Sequence, residues 1–293
     1  MIAQQDSELA DAAIAAGQAA AQVFGLPDLR DKAGRQGGDV AGLGTGSSID
    51  FHDQRNYLPG DDVRHINWQA YGRTGTYTMK LFREEVQPLV DVIIDCSSSM
   101  YFDPDKARRS LELVAFVAFA VARSQASGRF WKVGVGHPVP IAAEDIVTGR
   151  WTHEIKGGGE WDGDLAEVPL RRSSVRLLVG DLLHEGPPST TLLPLAEGAG
   201  LVLVWAPFCH EEAEPSWREN CELEDAESGS RRAVWCDAGM LGRYHDAYMR
   251  HFALWEDKAL RLGARLARIA SDGPLDEALL AVAGEDRAVR LCR

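Results

Sequence analysis

Positive charge is scarce in this sequence. Thirty-one Lys and Arg stand against 44 Asp and Glu, a formal net charge of −13. Such a surface repels a phosphate backbone and an anionic membrane unless basic residues are concentrated somewhere, and no basic patch is found. Nucleic acid is therefore not an expected partner. Long apolar runs are missing too: the longest, Leu113 to Ala122, falls far short of the roughly 20 residues of a membrane helix and has Glu112 and Arg123 at its ends. No membrane span is expected. Cysteine is sparse, and Cys96, Cys209, Cys221, Cys236 and Cys292 are odd in number with no C-x-x-C pair. That fits neither a disulfide framework nor a zinc cage, so reduced thiols are expected. The first residues lack the positive start of a secretory signal, since Asp6, Glu8 and Asp11 precede the first basic residue, Arg30, and a cytoplasmic location is expected. Internal repeats are absent. So is a Gly-x-x-x-x-Gly-Lys-Ser/Thr loop, so any ATP hydrolysis must come from a partner.

What is present suffices for a folded protein, because 45% hydrophobic and 26% charged residues over 293 positions bury a substantial core. An Ala-rich stretch at residues 7 to 23, with Leu9, Ile14 and Val23 as larger apolar residues, predicts a helix that ends before Gly25 and Pro27. Asp31 to Ser48, rich in Gly, predicts a loop or linker. Strands are predicted at Gly75 to Phe82, Leu89 to Ile94, Trp131 to Val135, Val175 to Val179 and Leu201 to Trp205, and a helix packed on several sides at Asp105 to Ser124. Alternation of helix and strand points to a mainly parallel sheet flanked by helices. Further on, Leu241, Tyr244, Tyr248, Phe252, Trp255, Ala259, Leu262, Leu266 and Ile269 recur at spacings of three and four, which predicts one long amphipathic helix with an aromatic core stripe, ended by Gly273 and Pro274. His245 and His251 have no metal-ligand spacing and are expected to be exposed or capping. A shorter helix is expected at Leu275 to Val282. The organisation expected is 1–48 N-terminal helix and linker, 49–86 a β-containing segment, 87–240 the α/β domain and 241–293 a helical extension.

The residues that carry chemistry follow the Leu89 to Ile94 strand. Asp95, Ser97 and Ser99 form an Asp-x-Ser-x-Ser loop at the carboxyl end of a buried strand, the edge where open α/β sheets bind ligands. A carboxylate and two hydroxyls at this spacing suit a small hard cation, Mg2+ or Mn2+. The competing reading is an ordinary turn in which the serines cap the next segment. Asp181, after the Val175 to Val179 strand, is expected on the same edge. The Gly157-Gly158-Gly159-Glu160 loop, followed by Asp162 and Asp164, is expected to supply a third acidic loop. A hydrolase using Ser97 or Ser99 with His184 and Asp181 is the weaker alternative, because no Gly-x-Ser-x-Gly elbow is present.

Together the Asp95–Ser99 loop, the Gly157–Gly159 loop and Asp181 resemble the metal-ion-dependent adhesion site of von Willebrand factor A domains. That resemblance implies metal ligands at Asp95, Ser97, Ser99 and Asp181, with Glu160 where the family has Thr. Upstream, Arg55-Asn56-Tyr57-Leu58-Pro59-Gly60-Asp61-Asp62-Val63-Arg64-His65-Ile66-Asn67-Trp68, then Arg73-Thr74, Lys80, Phe82 and Glu84-Glu85, resembles the signature of the DUF58 family, a relative of von Willebrand A domains. Asn67 and Gly72 depart from its usual Asp and Ala. The likeness covers about residues 40 to 285 and implies a von Willebrand A-like α/β fold with a β-containing N-terminal extension and a C-terminal helical one. It also implies a protein-binding adaptor or assembly factor, not an enzyme, acting on an unidentified client with a MoxR-type AAA+ ATPase. A metal-independent structural interaction module is the alternative. In the signature itself, Pro59-Gly60 reads as a turn held by carboxylate–guanidinium pairs among Asp61, Asp62, Arg55, Arg64 and Arg73, with Tyr57 and Trp68 as apolar anchors. A partner-facing surface is the other reading of these residues.

Overall fold

The computed structural model describes residues 2–27, 49–58, 62–84, 87–151, 161–284 and 288–292. The chain divides into two compact units, Met1–Gln36 with Pro88–Arg293, and Gly37–Gln87. The expected linker at 31–48, and Pro59, Gly60, Asp61, Gly157, Gly158, Gly159 and Glu160, lie outside the described residues. In chain order the larger unit begins with α1 (Ile2–Val23) and β1 (Phe24–Gly25). The smaller unit contributes β2 (Ile49–Asn56), α2 (Trp68–Thr74) and β3 (Thr78–Glu84). The larger unit resumes with β4 (Leu89–Asp95), α3 (Pro104–Arg123), β5 (Ser127–Val133), β6 (Val139–Ile141), α4 (Ala143–Val147), β7 (Val175–Val179), α5 (Pro188–Ala196) and β8 (Leu201–Phe208). It closes with α6 (His210–Ala213), β9 (Glu219–Glu224), β10 (Arg231–Cys236), α7 (Ala238–Arg261), β11 (Arg265–Ala270), α8 (Leu275–Ala281) and β12 (Arg290–Leu291).

A six-stranded sheet of order β11-β8-β7-β4-β5-β6 forms the centre of the larger unit, parallel except for β6. Its inner strands are apolar on both faces because both are covered. Val90, Val92 and Ile94 of β4 face one cluster with Leu177, Trp205 and the centre of α3, on which the small Ala13, Ala20 and Ala21 of α1 also pack. Ile93, Leu178 and Val204 face the opposite cluster with Leu192, Tyr248, Phe252 and Trp255. Each fully buried large apolar side chain contributes about 1.5–3 kcal/mol, so these two clusters hold the three layers together. The wholly apolar centre of α3 is explained by its place between sheet and α1, and the α7 aromatic stripe is core, as its spacing predicts.

The long C-terminal helix is not formed as expected. α7 stops at Arg261, Leu262 and Gly263 turn the chain, and residues 265–270 run as β11 beside β8, pairing Leu266 with Val204 and Ile269 with Pro207. Leu262, Leu266 and Ile269 continue the helical spacing only by coincidence: the edge of β8 supplies backbone partners that a continued helix would leave unpaired. Sheet pairing also shifts two strands from their expected places, to 127–133 and 78–84.

In the smaller unit, β2 and β3 pair antiparallel with an irregularity between Phe51 and Asp53, and α2 lies between them in sequence. Asn67 caps α2 by accepting a hydrogen bond from the Ala70 amide at 3.2 Å, a role that Asn fills as well as Asp. Asp62 accepts from the Arg64 amide and guanidinium, with the shortest contact at 2.6 Å, but the Arg64 side chain is 84% exposed. The pair is therefore an exposed local brace on the Val63–His65 turn, and at that exposure it contributes little to stability. Trp68 is 60% exposed and sits edge-on to Tyr71 and Tyr77, which stack at 4.4 Å; it rims an aromatic cluster and does not anchor a core. Tyr57 meets Tyr77 edge-on at 6.3 Å. Arg55 is exposed, with its guanidinium on the Asn56 carbonyl.

Candidate functional site

The chain leaves β4 toward β5 on one side and later returns to β7 on the other, so the carboxyl end of β4 is a point where the winding changes direction. Asp95 is the last residue of β4, and Asp181 follows β7 on the same edge. The residues that follow β5 and β7 leave no room beside Asp95 for a side chain. A Cβ at Gly134, which has φ +77°, would lie 2.7 Å from the Ser97 amide, and one at Gly180 would lie 2.9 Å from the Asp95 Cβ.

The four expected ligands that fall within the described residues are brought together. Asp95 Oδ1 accepts from the Ser97 amide at 2.8 Å and also bonds the Ser97 side chain. The Ser97 and Ser99 hydroxyl oxygens are 3.2 Å apart, and the Ser99 side chain bonds Asp181. A continuous polar chain thus runs from one carboxylate through two hydroxyls to the other. Asp95, Ser97 and Asp181 are buried. Burial, followed by the field of Asp181, pushes the Asp95 carboxyl up to about 7 despite the Ser97 bonds. The buried thiol of Cys96 is pushed up to about 12 by burial and then by Asp95.

Two residues of this site, Lys106 and Glu212, were missed by sequence reasoning. Lys106, in the first turn of α3, is 1% exposed and places its ammonium 2.7 Å from Asp181 Oδ2 and 2.5 Å from Glu212 Oε1. Burial pulls this ammonium down, but Asp181 and Glu212 outweigh it and leave its pKa raised; burial pushes Asp181 up, but Lys106 outweighs that and leaves it lowered. Asp103 fixes the turn by accepting from the Asp105 and Lys106 amides, each at 2.9 Å. The available signal was a lysine about two turns ahead of a wholly apolar helix centre, in the first helix after the Asp95–Ser99 loop. Glu212 gave none, because a contact across 106 residues leaves no local pattern.

Asp95 forms no ion pair with any of the described residues, and the Lys106 ammonium whose field reaches it is bonded elsewhere. A buried carboxylate of this kind is satisfied by a proton or a cation. The oxygen set therefore fits a hard divalent ion at Asp95, Ser97 and Ser99, with Asp181 sharing its charge with Lys106. Among the described residues no group of three or more His, Cys, Asp or Glu is placed to hold a metal, so any such site depends on the hydroxyls. Asp162 and Asp164 cap their own turn and line, with Gly134, His137 and Glu167, a groove on this side of the sheet.

His184 is not joined to the serines. Its Nε2 lies 3.3 Å from Thr191 Oγ1, its ring stands edge-on to Trp161 and Trp255, and Asp181 bonds Lys106 instead. His251, expected to be exposed or capping, is half-buried and its Nε2 meets the Leu182 carbonyl at 2.7 Å, bracing the Asp181 loop from α7. No helix among the described residues is long and apolar enough to cross a membrane.

No curated protein matches the chain. Among solved structures, "conserved hypothetical protein BatB from Bacteroides thetaiotaomicron" aligns at 14% identity and a TM-score of 0.32, over 66% of this chain and 95% of that one. "An aerotolerance-related membrane protein from Bacteroides fragilis NCTC 9343 with multiple mutations to serines" aligns at 12% identity and a TM-score of 0.34, over 66% and 96%. Residues 53–136, a stretch that includes both the Asp62–Trp68 segment and the Asp95–Ser99 loop, match the protein-family model described as "Protein of unknown function DUF58".

Proposed function

We propose that this chain is a protein-binding adaptor or assembly factor of the von Willebrand A type, working in the cytoplasm with a MoxR-type AAA+ ATPase on a protein client. Its binding site is the sheet edge at Asp95, Ser97, Ser99 and Asp181. The observation that carries the reading is the buried Asp95 carboxylate joined through two hydroxyls to Asp181, at the edge where open α/β sheets receive ligands. A bound Mg2+ or Mn2+ would supply open coordination positions for a carboxylate from another chain. Asp95 then contributes charge, Ser97 and Ser99 contribute neutral oxygens, and Lys106 holds Asp181 in place. The ATPase partnership rests on the family resemblance alone. A second reading, a metal-independent interaction module, draws on Lys106, which already supplies an internal cation to Asp181 and Glu212.

Calorimetric titration with Mg2+ and Mn2+, paired with pull-down of the ATPase encoded nearest this gene, tests both. Cation binding in the wild type and its loss in Asp95→Ala, with partner capture lost in EDTA and in Ser97→Ala, is the expected result. Equal cation affinity in wild type and Asp95→Ala sinks the metal site. Capture that survives EDTA favours the metal-independent module, and absence of capture in every nucleotide state rejects the partnership.

A further inference from the structure

The β9–β10 hairpin joins α6 to α7 and carries two of the five cysteines. Its register sets Cys221 opposite Val234 and Glu219 opposite Cys236. Residues directly opposite share a face, and so do residues two apart on one strand, so Cys236 is the diagonal neighbour of Cys221 on the same face. Each thiol donates to a backbone carbonyl of its own strand region, Cys221 to Arg218 at 3.4 Å and Cys236 to Val234 at 3.8 Å, and the two sulfurs lie close enough for Cys221 to act on the Cys236 thiol electrostatically. The remaining thiols offer no such pair: Cys96 and Cys209 are buried with pKa values pushed up to about 12 and about 11, burial being the main cause, and the Cys292 sulfur lies against Arg123.

We propose that Cys221 and Cys236 are a redox-active dithiol that closes to a cross-strand disulfide on reaction with a peroxide. Cys221 is the more exposed sulfur and reacts first. Its thiolate attacks one peroxide oxygen, the O–O bond breaks, and the products are a sulfenic acid on Cys221 and hydroxide, which leaves as water once protonated. The Cys236 thiolate then attacks the Cys221 sulfur. An S–S bond forms, the S–O bond breaks, and the oxygen leaves as a second water. In sum, two thiols and hydrogen peroxide give one disulfide and two waters, the sulfurs losing the two electrons that the peroxide gains. A cellular thiol reductant reverses the change by exchange.

Diagonal Cα atoms in an antiparallel pair lie about 7–8 Å apart, beyond the roughly 4.4–6.8 Å that a disulfide spans, so closure draws the strands together. Cys236 is the last residue of β10 and is followed by Asp237, the cap of α7, so the bond forms at the base of the hairpin. That base follows α6, which carries Glu212, and Tyr244 of α7 donates to the Glu212 carbonyl at 2.8 Å. Burial, the neighbouring Cys221 thiol and the nearby Asp237 hold the Cys236 thiol above its usual range, so closure should accelerate as pH rises.

The test is treatment of the full chain with hydrogen peroxide at pH 7 to 9, alkylation of remaining thiols and peptide mass mapping. Expected is a linked Cys221–Cys236 peptide, reversed by dithiothreitol, that forms faster at the higher pH. Cys96 and Cys209 should stay protected from alkylation until denaturant is added, which reports an intact fold. Cys236→Ser should leave a dimedone-trappable sulfenic acid on Cys221, and Cys221→Ser should abolish the linked peptide. The proposal is overturned if a fold-intact wild type keeps both thiols reduced in peroxide, carries Cys221 to sulfinic acid with Cys236 free, or links either cysteine to a different partner.

Discussion

Asp95 sets the chemistry of the candidate site at the scale of one residue. Its folded-state pKa, raised to about 7 by burial and by Asp181, lies well above that of an unfolded aspartate near 4, so the protonated form is favoured in the fold. That stability is fully present below about pH 4 and is lost as pH rises through about 7. Asp95→Asn, which fixes the neutral state, is accordingly expected to stabilise the cation-free protein by about 2 to 4 kcal/mol at pH 8, with the gain shrinking toward zero near pH 4. Urea unfolding with EDTA across that range measures it. A gain that is flat with pH would mean that Asp95 is ionised throughout. Excess Mg2+ should shrink the gain at pH 8 if the site binds the ion, because only the carboxylate form is a good ligand.

The element most instructive at the next scale is the break between α7 and β11. Gly263 has φ +69°, a left-handed conformation that costs a side chain about 1 to 2 kcal/mol, and a Cβ there meets nothing within 4 Å. Gly263→Ala is therefore expected to lose about 1 kcal/mol of stability through backbone strain alone, read as a shift in denaturation midpoint with an unchanged slope. A loss several times larger would point to a packing role that the open surroundings do not show. The same break accounts for the helix that the apolar spacing predicted. Period alone cannot distinguish nine apolar residues on one helix from six on a helix and three around a turn and strand, when the spacing happens to run through the turn.

Across the whole molecule, Lys106 joins three elements distant in sequence: α3, the loop after β7 that carries Asp181, and α6 with Glu212. Removing a buried ammonium leaves two carboxylates without their cation. Lys106→Met is expected to cost about 3 to 5 kcal/mol, and the loss should be partly recovered by Mg2+ if a divalent ion can take over the charge. Thermal unfolding with and without Mg2+ provides the readout. A neutral effect on stability would show that the pair contributes no more than a well-packed apolar side chain would. The acidic total charge of −13 acts at this scale too, favouring cations and disfavouring phosphate-rich partners without selecting the fold.

By itself the sequence determined the parts of this protein that depend on local pattern. The apolar runs at 89–94, 175–179 and 201–205 became inner strands because only a sheet covered on both faces tolerates them, and the ten apolar residues of α3 required packing on several sides. The Asp95–Ser99 loop was legible because a polar loop after a buried strand has only one edge of the sheet to occupy, and Asp181 followed from the same rule. Tertiary structure alone decided the rest. It paired residues 265–270 with β8 because open backbone groups on a strand edge outweigh an accidental helical spacing, and it left Trp68 exposed where the local motif suggested an apolar anchor. It also placed Lys106 between Asp181 and Glu212, 75 and 106 residues away. Contacts at that separation are set by how layers stack, and no spacing within a single segment encodes them.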